Sequence, residues 1–227
     1  MLSGDHITRV FRGPTGEVTG LHDVSLSVDR GEFVVVHGSS GSGKSTLLLT
    51  LGGMLRPTSG RVLLRGQDLY AAGPTIRAAI RAQSIGFVFQ LFHLVPYLNV
   101  AENVVAGLPG RKRADVHREV LPLLERLGLE HRANHYPGTL SAGERQRTAL
   151  ARALIKQPEV ILADEPTGNL DVENAGIVVR YLTSYQQRGG AVVMVTHGKD
   201  AAAFATRTLR IERGQLQAIM TADAKHL

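Results

Sequence analysis

The chain has 227 residues, 43% of them apolar, and its 26 lysines and arginines outnumber its 20 aspartates and glutamates to leave a net charge of +6. This is the composition of a globular protein, long enough for one large domain or a core with a subdomain, and it excludes a disordered chain. The absence of cysteine excludes disulfides and thiolate metal sites, no run reaches the ~18 apolar residues of a membrane span, and "MLSGDHITRV" lacks the layout of a signal peptide, so the chain is expected to stay soluble where it is made.

The positive balance would suit nucleic acid, an anionic membrane surface or a phosphorylated ligand. Its densest cluster, Arg111 to Arg113, is short and is followed by the mixed charges of "ADVHREV", which favours a solvated helix face over a nucleic-acid patch. The nine histidines show no metal-ligand spacing.

In chain order, "VSLSV" (Val24 to Val28) alternates as a strand, "DRG" turns the chain, and "EFVVVHG" forms a buried strand. A helix is predicted in "TLLLTLGGML" after Ser45. A short strand, "RVLL" from Arg61, follows the loop "RPTSG", and "RGQDL" turns it again. These pieces predict a small antiparallel layer beside a parallel one. Further on, "HREVLPLLERLGL" and "ERQRTALARALIK" are predicted helices. "VILA" (Val160 to Ala163) and "AVVMVT" (Ala191 to Thr196) are predicted buried strands. The tail "TLRIERGQLQA" has the form of a hairpin around Arg213 and Gly214. Strands alternating with helices predict an α/β fold, a parallel sheet covered by helices, with no repeat and no low-complexity linker.

The stretch "VVVHGSSGSGKSTLL" carries the clearest chemistry. Gly38, Gly43, Lys44 and Ser45 fill the pattern G-x-x-x-x-G-K-[ST] between a strand and a helix. Glycines let backbone N–H groups curve around phosphate oxygens, Lys44 reaches the outer phosphates, and the Ser45 hydroxyl can ligate Mg²⁺. A dinucleotide loop is excluded because G-x-G-x-x-G is absent and a lysine opens the helix. "VILADEP" supplies the acids such a loop requires: Asp164 directly after the apolar run as metal partner, and Glu165 to orient or deprotonate water. "AVVMVTH" ends in His197, either a sensor of the terminal phosphate or a structural residue at a strand end.

"LSAGERQR" has the form of a capping box, with Ser141 three residues before Glu144. Between them stand Ala142 and Gly143, small enough to admit another molecule to a helix end whose dipole favours anions. The segment is therefore a cap that can also bind.

Together these stretches resemble the ATP-binding subunit of ABC transporters over nearly the whole chain. "GSSGSGKS" resembles the family's Walker A loop, Gln90 in "FVFQ" its Q-loop glutamine and "LSAGE" its signature; "VILADE" resembles its Walker B strand, "GNLD" the D-loop ending at Asp171, and His197 the switch histidine. The resemblance implies a P-loop NTPase fold. A RecA-like parallel sheet would carry an antiparallel β subdomain, with a helical signature subdomain at roughly residues 91–155 inside one domain of residues 1–227.

The resemblance also implies the site. Gly38, Ser39, Ser40, Gly41, Ser42, Gly43, Lys44, Ser45 and Thr46 would hold ATP phosphates; Ser45, Gln90 and Asp164 would surround Mg²⁺; Glu165 would be the catalytic base, with Gln90 and His197 beside it. Phe11 falls where the family stacks an aromatic on adenine, with Val18 next to it; a core position in a strand is the alternative. Ser141, Ala142, Gly143 and Glu144 would act in trans, on ATP held by a second copy or a homologous subunit paired head to tail.

"ADEPTGNLD" and "FVFQLFHLVPYLNVAENV" are most similar to the branch serving lipoprotein extraction, macrolide or peptide efflux and a cell-division complex. That branch implies separate integral membrane permease subunits, a place on the cytoplasmic face of the membrane, and no nucleic-acid partner. The apolar segment Leu91 to Val100 would meet the permease, a buried segment being the alternative. Three positions depart from the family pattern: Ala142 for the first signature glycine, Glu144 for glutamine, and Gly198 for the acid after the histidine.

Overall fold

Two long strands lead the chain, β1 (Leu2–Gly13) and β2 (Gly16–Val28), paired antiparallel from Leu2↔Val28 to Gly13↔Gly16. The computed structural model describes residues 1–14, 16–108, 110, 113–198 and 200–218, the side chains of 113–118, 200 and 218 excepted. Near its end β2 alternates buried Val24, Leu26 and Val28 with exposed Ser25 and Ser27, as a strand with one covered face must.

β3 (Phe33–His37), α1 (Lys44–Leu51), β4 (Ser59–Leu64), β5 (Gln67–Asp68), α2 (Pro74–Ser84) and β6 (Ile85–Phe89) follow. Three helices come next, α3 (Val100–Val105), α4 (Arg113–Arg126) and α5 (Ala142–Leu154). The chain then returns as β7 (Val160–Asp164), α6 (Val172–Gln187), β8 (Ala191–Thr196), β9 (Arg207–Glu212) and β10 (Gln215–Ala218).

The strands form two sheets. One is antiparallel, in the order β2-β1-β4-β5; the other has the order β10-β9-β3-β8-β7-β6 and is parallel except for β10. The α/β class and the two layers expected from the sequence are present.

The continuous apolar runs are explained by burial on both sides. Phe33, Val35, Ile161, Ala163, Val192 and Met194 face α3 to α6, while Val34, Val36, Val160, Leu162, Val193 and Val195 face α1 and the antiparallel sheet. A side-chain period of two with both faces covered leaves polar residues only at the carboxyl ends of these strands, His37, Asp164 and Thr196.

The predicted turns are also found. Arg65 (φ 53°) and Gly66 (φ 77°) join β4 to β5, and Arg213 (φ 48°) and Gly214 (φ 76°) join β9 to β10, each a pair of left-handed residues suited to a two-residue hairpin.

Some expectations need correction. The helix after Ser45 stops at Leu51 and does not run through "GGML": Gly52 is its C-cap, and Gly53 at φ 70° turns the chain away. β4 begins at Ser59, before Arg61. The sequence reading left β1, α2, β6, α3 and α6 unassigned. The cluster Arg111 to Arg113 lies outside the described residues, apart from the backbone of Arg113. Among the described residues no helix is long and apolar enough to cross a membrane.

Candidate active site

The parallel sheet delivers four chain segments to one edge. In register, Phe89 pairs with Asp164, Asp164 with Val195, and His37 with Thr196, all at the carboxyl ends of their strands. Gly38, Gln90, Glu165 and His197 are the next residues, so the expected chemistry converges where open α/β sheets place their ligands.

The loop between β3 and α1 is shaped by close packing. A Cβ on Gly38 would stand 2.5 Å from the Ile211 carbonyl oxygen, and one on Gly43, which has φ 107°, would stand 2.4 Å from that of Gly20. Ser42 N–H donates to Ser39 O at 3.2 Å, and Gly214 N–H to Ser42 O at 2.9 Å, tying the loop to the β9–β10 turn. With no acid in its first turn and no side chain capping Gly43, α1 presents unpaired N–H groups to an anion. Lys44 is 8% exposed. Its amine donates to Gly38 O at 2.8 Å and Ser39 O at 3.0 Å, folded back over the loop.

Glu165 stands at the centre of the edge, 12% exposed, with Oε1 3.5 Å from Lys44 Nζ and Oε2 2.7 Å from His197 Nδ1. The His197 N–H at 3.3 Å and the Thr196 hydroxyl at 3.4 Å also donate to Oε2. Its backbone is left-handed, φ 46°, a conformation disfavoured for a glutamate and held by Glu165 N–H to Val195 O at 2.9 Å. The sequence reading missed a further support. Gln146 of α5, fully buried, donates to Pro166 O at 2.6 Å and so fixes the turn after Glu165 from the signature helix. His37 was also not singled out; burial pushes its imidazole pKa down, against the pull of Glu165.

Asp164 and Ser45 form a second pair. Burial pushes the Asp164 carboxyl up, while a hydrogen bond from Ser45 and the charge of Lys44 act the other way. Asp164 Oδ1 is buried without a partner. A buried carboxylate oxygen left orphaned on a half-buried aspartate beside a hydroxyl would suit a small hard cation. Gln90 points elsewhere: its amide donates to Asn169 Oδ1 at 3.4 Å, and Asn169 returns a bond to Gln90 O at 3.1 Å.

The signature segment is a capping box and more. Glu144 N–H donates to Ser141 Oγ at 3.2 Å and Ser141 N–H to Glu144 Oε2 at 2.7 Å, and α5 starts at Ala142 as predicted. Gly143 is backed by Asn174, whose Oδ1 accepts from Arg147 at 2.8 Å and whose amide donates to Asp171 Oδ2 at 2.8 Å. Asp171 is itself the N-cap of α6, accepting from Asn174 N–H at 2.8 Å. Among the described residues no hydrogen bond or ion pair joins Ser141–Glu144 to Gly38–Thr46.

Phe11 and Val18 face each other across the β1–β2 hairpin, 37% and 65% exposed, so neither is a core residue. The Phe11 ring lies against Gly20, where an added Cβ would stand 2.7 Å from it and 3.3 Å from Thr46 Cγ2, which places the ring beside the start of α1. The Arg9 guanidinium covers it at 4.7 Å.

Residues 91 to 99 run over the surface. Leu91 is 70% and Tyr97 78% exposed, and the segment is pinned beneath by Arg152 of α5 to Phe92 O at 2.7 Å and by the buried Asn103 amide to Leu98 O at 2.8 Å. A cavity of about 1290 Å³ lined by Leu123, Arg126, Arg147, Tyr181 and Arg188 lies away from these groups and shares only Arg147 with them.

Residues 21–168 match the ABC transporter family. The lipoprotein-releasing system ATP-binding protein LolD of Shewanella denitrificans is 44% identical over 95% of this chain and 94% of its own length. The putative hemin import ATP-binding protein HrtA of Staphylococcus haemolyticus is 41% identical over 93% and 97%. Among solved structures, the dimeric bacterial ABC transporter cassette MJ0796 superposes with a TM-score of 0.89 at 33% identity, covering 98% of this chain and 100% of that one. A second MJ0796 structure, a dimeric post-hydrolysis state bound to ADP and Pi, gives 0.88. With its phosphate loop, Gln90, Glu165 and His197 gathered at one sheet edge and more than nine-tenths of its length matched by such relatives, the chain belongs to the ABC transporter family as an ATP-binding, ATP-hydrolysing subunit.

Proposed function

We propose that the chain works as one half of a head-to-tail pair, with a second copy or a homologous ATPase subunit, closing around two ATP and driving separate integral membrane permease subunits from the cytoplasmic face. The observation that carries the catalytic part is Glu165, held between Lys44 and His197 at the sheet edge that also bears the phosphate loop.

Lys44 exchanges its bonds to Gly38 O and Ser39 O for bonds to the outer phosphates, in which donor and acceptor are both charged. The loop N–H groups from Gly38 to Thr46 and the start of α1 then face the charge spread over the transferred phosphoryl group. With Lys44 turned away, Glu165 Oε1 is free to accept a proton from the attacking water, while Oε2 remains anchored by His197 and Thr196. Ser45 and Asp164, joined by Gln90 once its amide leaves Asn169, would hold Mg²⁺, which when bound neutralises phosphate charge; the orphaned Asp164 Oδ1 supports the Asp164 ligand. Phe11, with Val18 beside it, would stack on adenine.

In the pair, Ser141, Ala142, Gly143 and Glu144 cover the partner's ATP, and Asp171 lies at the junction. MJ0796, dimeric in both solved structures, supports this arrangement. Residues 91–155 act as a helical subdomain within the single domain of residues 1–227. Leu91 and Tyr97 meet the permease there, and Arg152 links that surface to α5. Within the class of lipid-linked, peptide or drug-like cargoes for export or extraction, the lipoprotein-releasing LolD relatives support the lipid-linked one. The HrtA relative adds hemin as a competing cargo.

Purification of the tagged chain from membranes tests the reading. Integral membrane subunits should co-purify, Tyr97→Glu should reduce their recovery about tenfold, and Mg²⁺-dependent ATP hydrolysis should vanish with Lys44→Ala. Salt-sensitive nucleic acid in place of membrane subunits would overturn it.

A further inference from the structure

The helix end proposed to cover a partner's ATP carries a negative charge of its own. Glu144 lies in the first turn of α5, 12% exposed, beside the free N–H groups of Ala142 and Gly143. A carboxylate there suits the helix dipole in an isolated subunit. Opposite a triphosphate it repels, and it cancels the partial positive charge that makes a helix start attractive to anions.

One neighbour answers that charge. Arg132, from the 3₁₀ turn Glu130–Arg132 and not from α5, donates through Nε to Glu144 Oε1 at 2.8 Å. The other carboxylate oxygen is occupied by Ser141 N–H. Burial would raise the Glu144 carboxyl pKa, but the Ser141 N–H and the Arg132 guanidinium together hold it below its ordinary range. Glu144 is thus a charged group held in place. Among the described residues Arg132 has no other ion-pair partner.

We propose that Arg132 is a positioning residue of the trans half-site: its guanidinium neutralises Glu144, so that α5 offers its N–H groups and dipole to the ATP of a second subunit. The inference rests on the head-to-tail reading above. It makes the effect of Arg132 on ATP-driven dimerisation conditional on Glu144, whereas a simple structural staple would couple the two in stability alone.

The test is a double-mutant cycle in the Glu165→Gln background, reading ATP-driven dimerisation by sedimentation together with thermal unfolding of each monomer. Arg132→Gln should weaken dimerisation about tenfold when Glu144 is present and less than about twofold when combined with Glu144→Gln. Equal weakening in both backgrounds, or coupling confined to the unfolding temperature, would overturn the proposal. If Glu165→Gln alone fails to dimerise with ATP, the head-to-tail reading itself fails, and the two outcomes stay distinct.

Discussion

Asn174 closes the space behind Gly143: a Cβ built on that glycine would stand 2.1 Å from Asn174 Oδ1, an oxygen already bonded to Arg147. The one glycine of the signature segment is therefore required by packing within its own subunit, before any nucleotide arrives. Asn174 also holds Asp171. The start of α5 and the start of α6 thus share one side chain, and two elements proposed to act on the partner's site are fastened to each other.

From this, Gly143→Ala should destabilise the isolated subunit by about 1–3 kcal/mol, seen as a lower melting temperature, and Asn174→Ala in the same chain should recover part of the loss. Ala142 differs: it opens α5 without a positive φ, so its methyl strains no backbone. Ala142→Gly should change ATP hydrolysis by less than about tenfold. A hundredfold rise would show that the methyl obstructs the ligand.

Asp164 predicts a pH effect. Its carboxyl is raised by burial, so the folded state holds its proton where the unfolded chain has released it. Stability from this position falls as pH rises through the interval between the two values and stays lost above it. Asp164→Asn should melt higher than the parent at pH 7 without nucleotide, with the difference shrinking as pH approaches about 4. The same variant should lose Mg²⁺-dependent hydrolysis by about a hundredfold or more. A lower melting temperature at pH 7 would contradict the burial argument.

Phe11 predicts a base-stacking term. Its exposed ring beside Thr46 should give Phe11→Ala an ATP affinity about five- to a hundredfold weaker, the range of one aromatic–base stack. Nucleotide titration of the monomer measures this directly, and an unchanged affinity would place the adenine elsewhere.

What the sequence made legible was local. The strand–loop–helix spacing around Gly38 to Ser45, the acids closing "VILADE", the Ser141–Glu144 box and the Arg213–Gly214 hairpin each depend on neighbours a few residues apart. Missed elements failed for physical reasons. α2 is amphipathic, but Ile76 and Ile80 are its only large apolar residues, Ile76 is exposed and Ser84 is the one buried residue, so it lacks the apolar stripe of a core helix, and α6 opens with an exposed Val172 and spaces its buried residues Val178, Val179 and Leu182 late. In the same way, no short-range pattern announces that Gln146 braces Pro166, that Asn174 backs Gly143, or that Gln90 turns to Asn169. Asn99 and Glu102 do form a second capping box with spacing like that of Ser141 and Glu144. That signal was present in the letters and passed over.

Glu165 is the central group of the proposed cycle, taking the proton from water while the paired subunits hold ATP between them. Sedimentation of purified Glu165→Gln with ATP, alongside its turnover rate, measures both at once. Retained ATP binding, turnover reduced by about a hundredfold or more, and a stable ATP-bound dimer are the expected result; normal hydrolysis in that variant, or a monomer saturated with ATP, would contradict it.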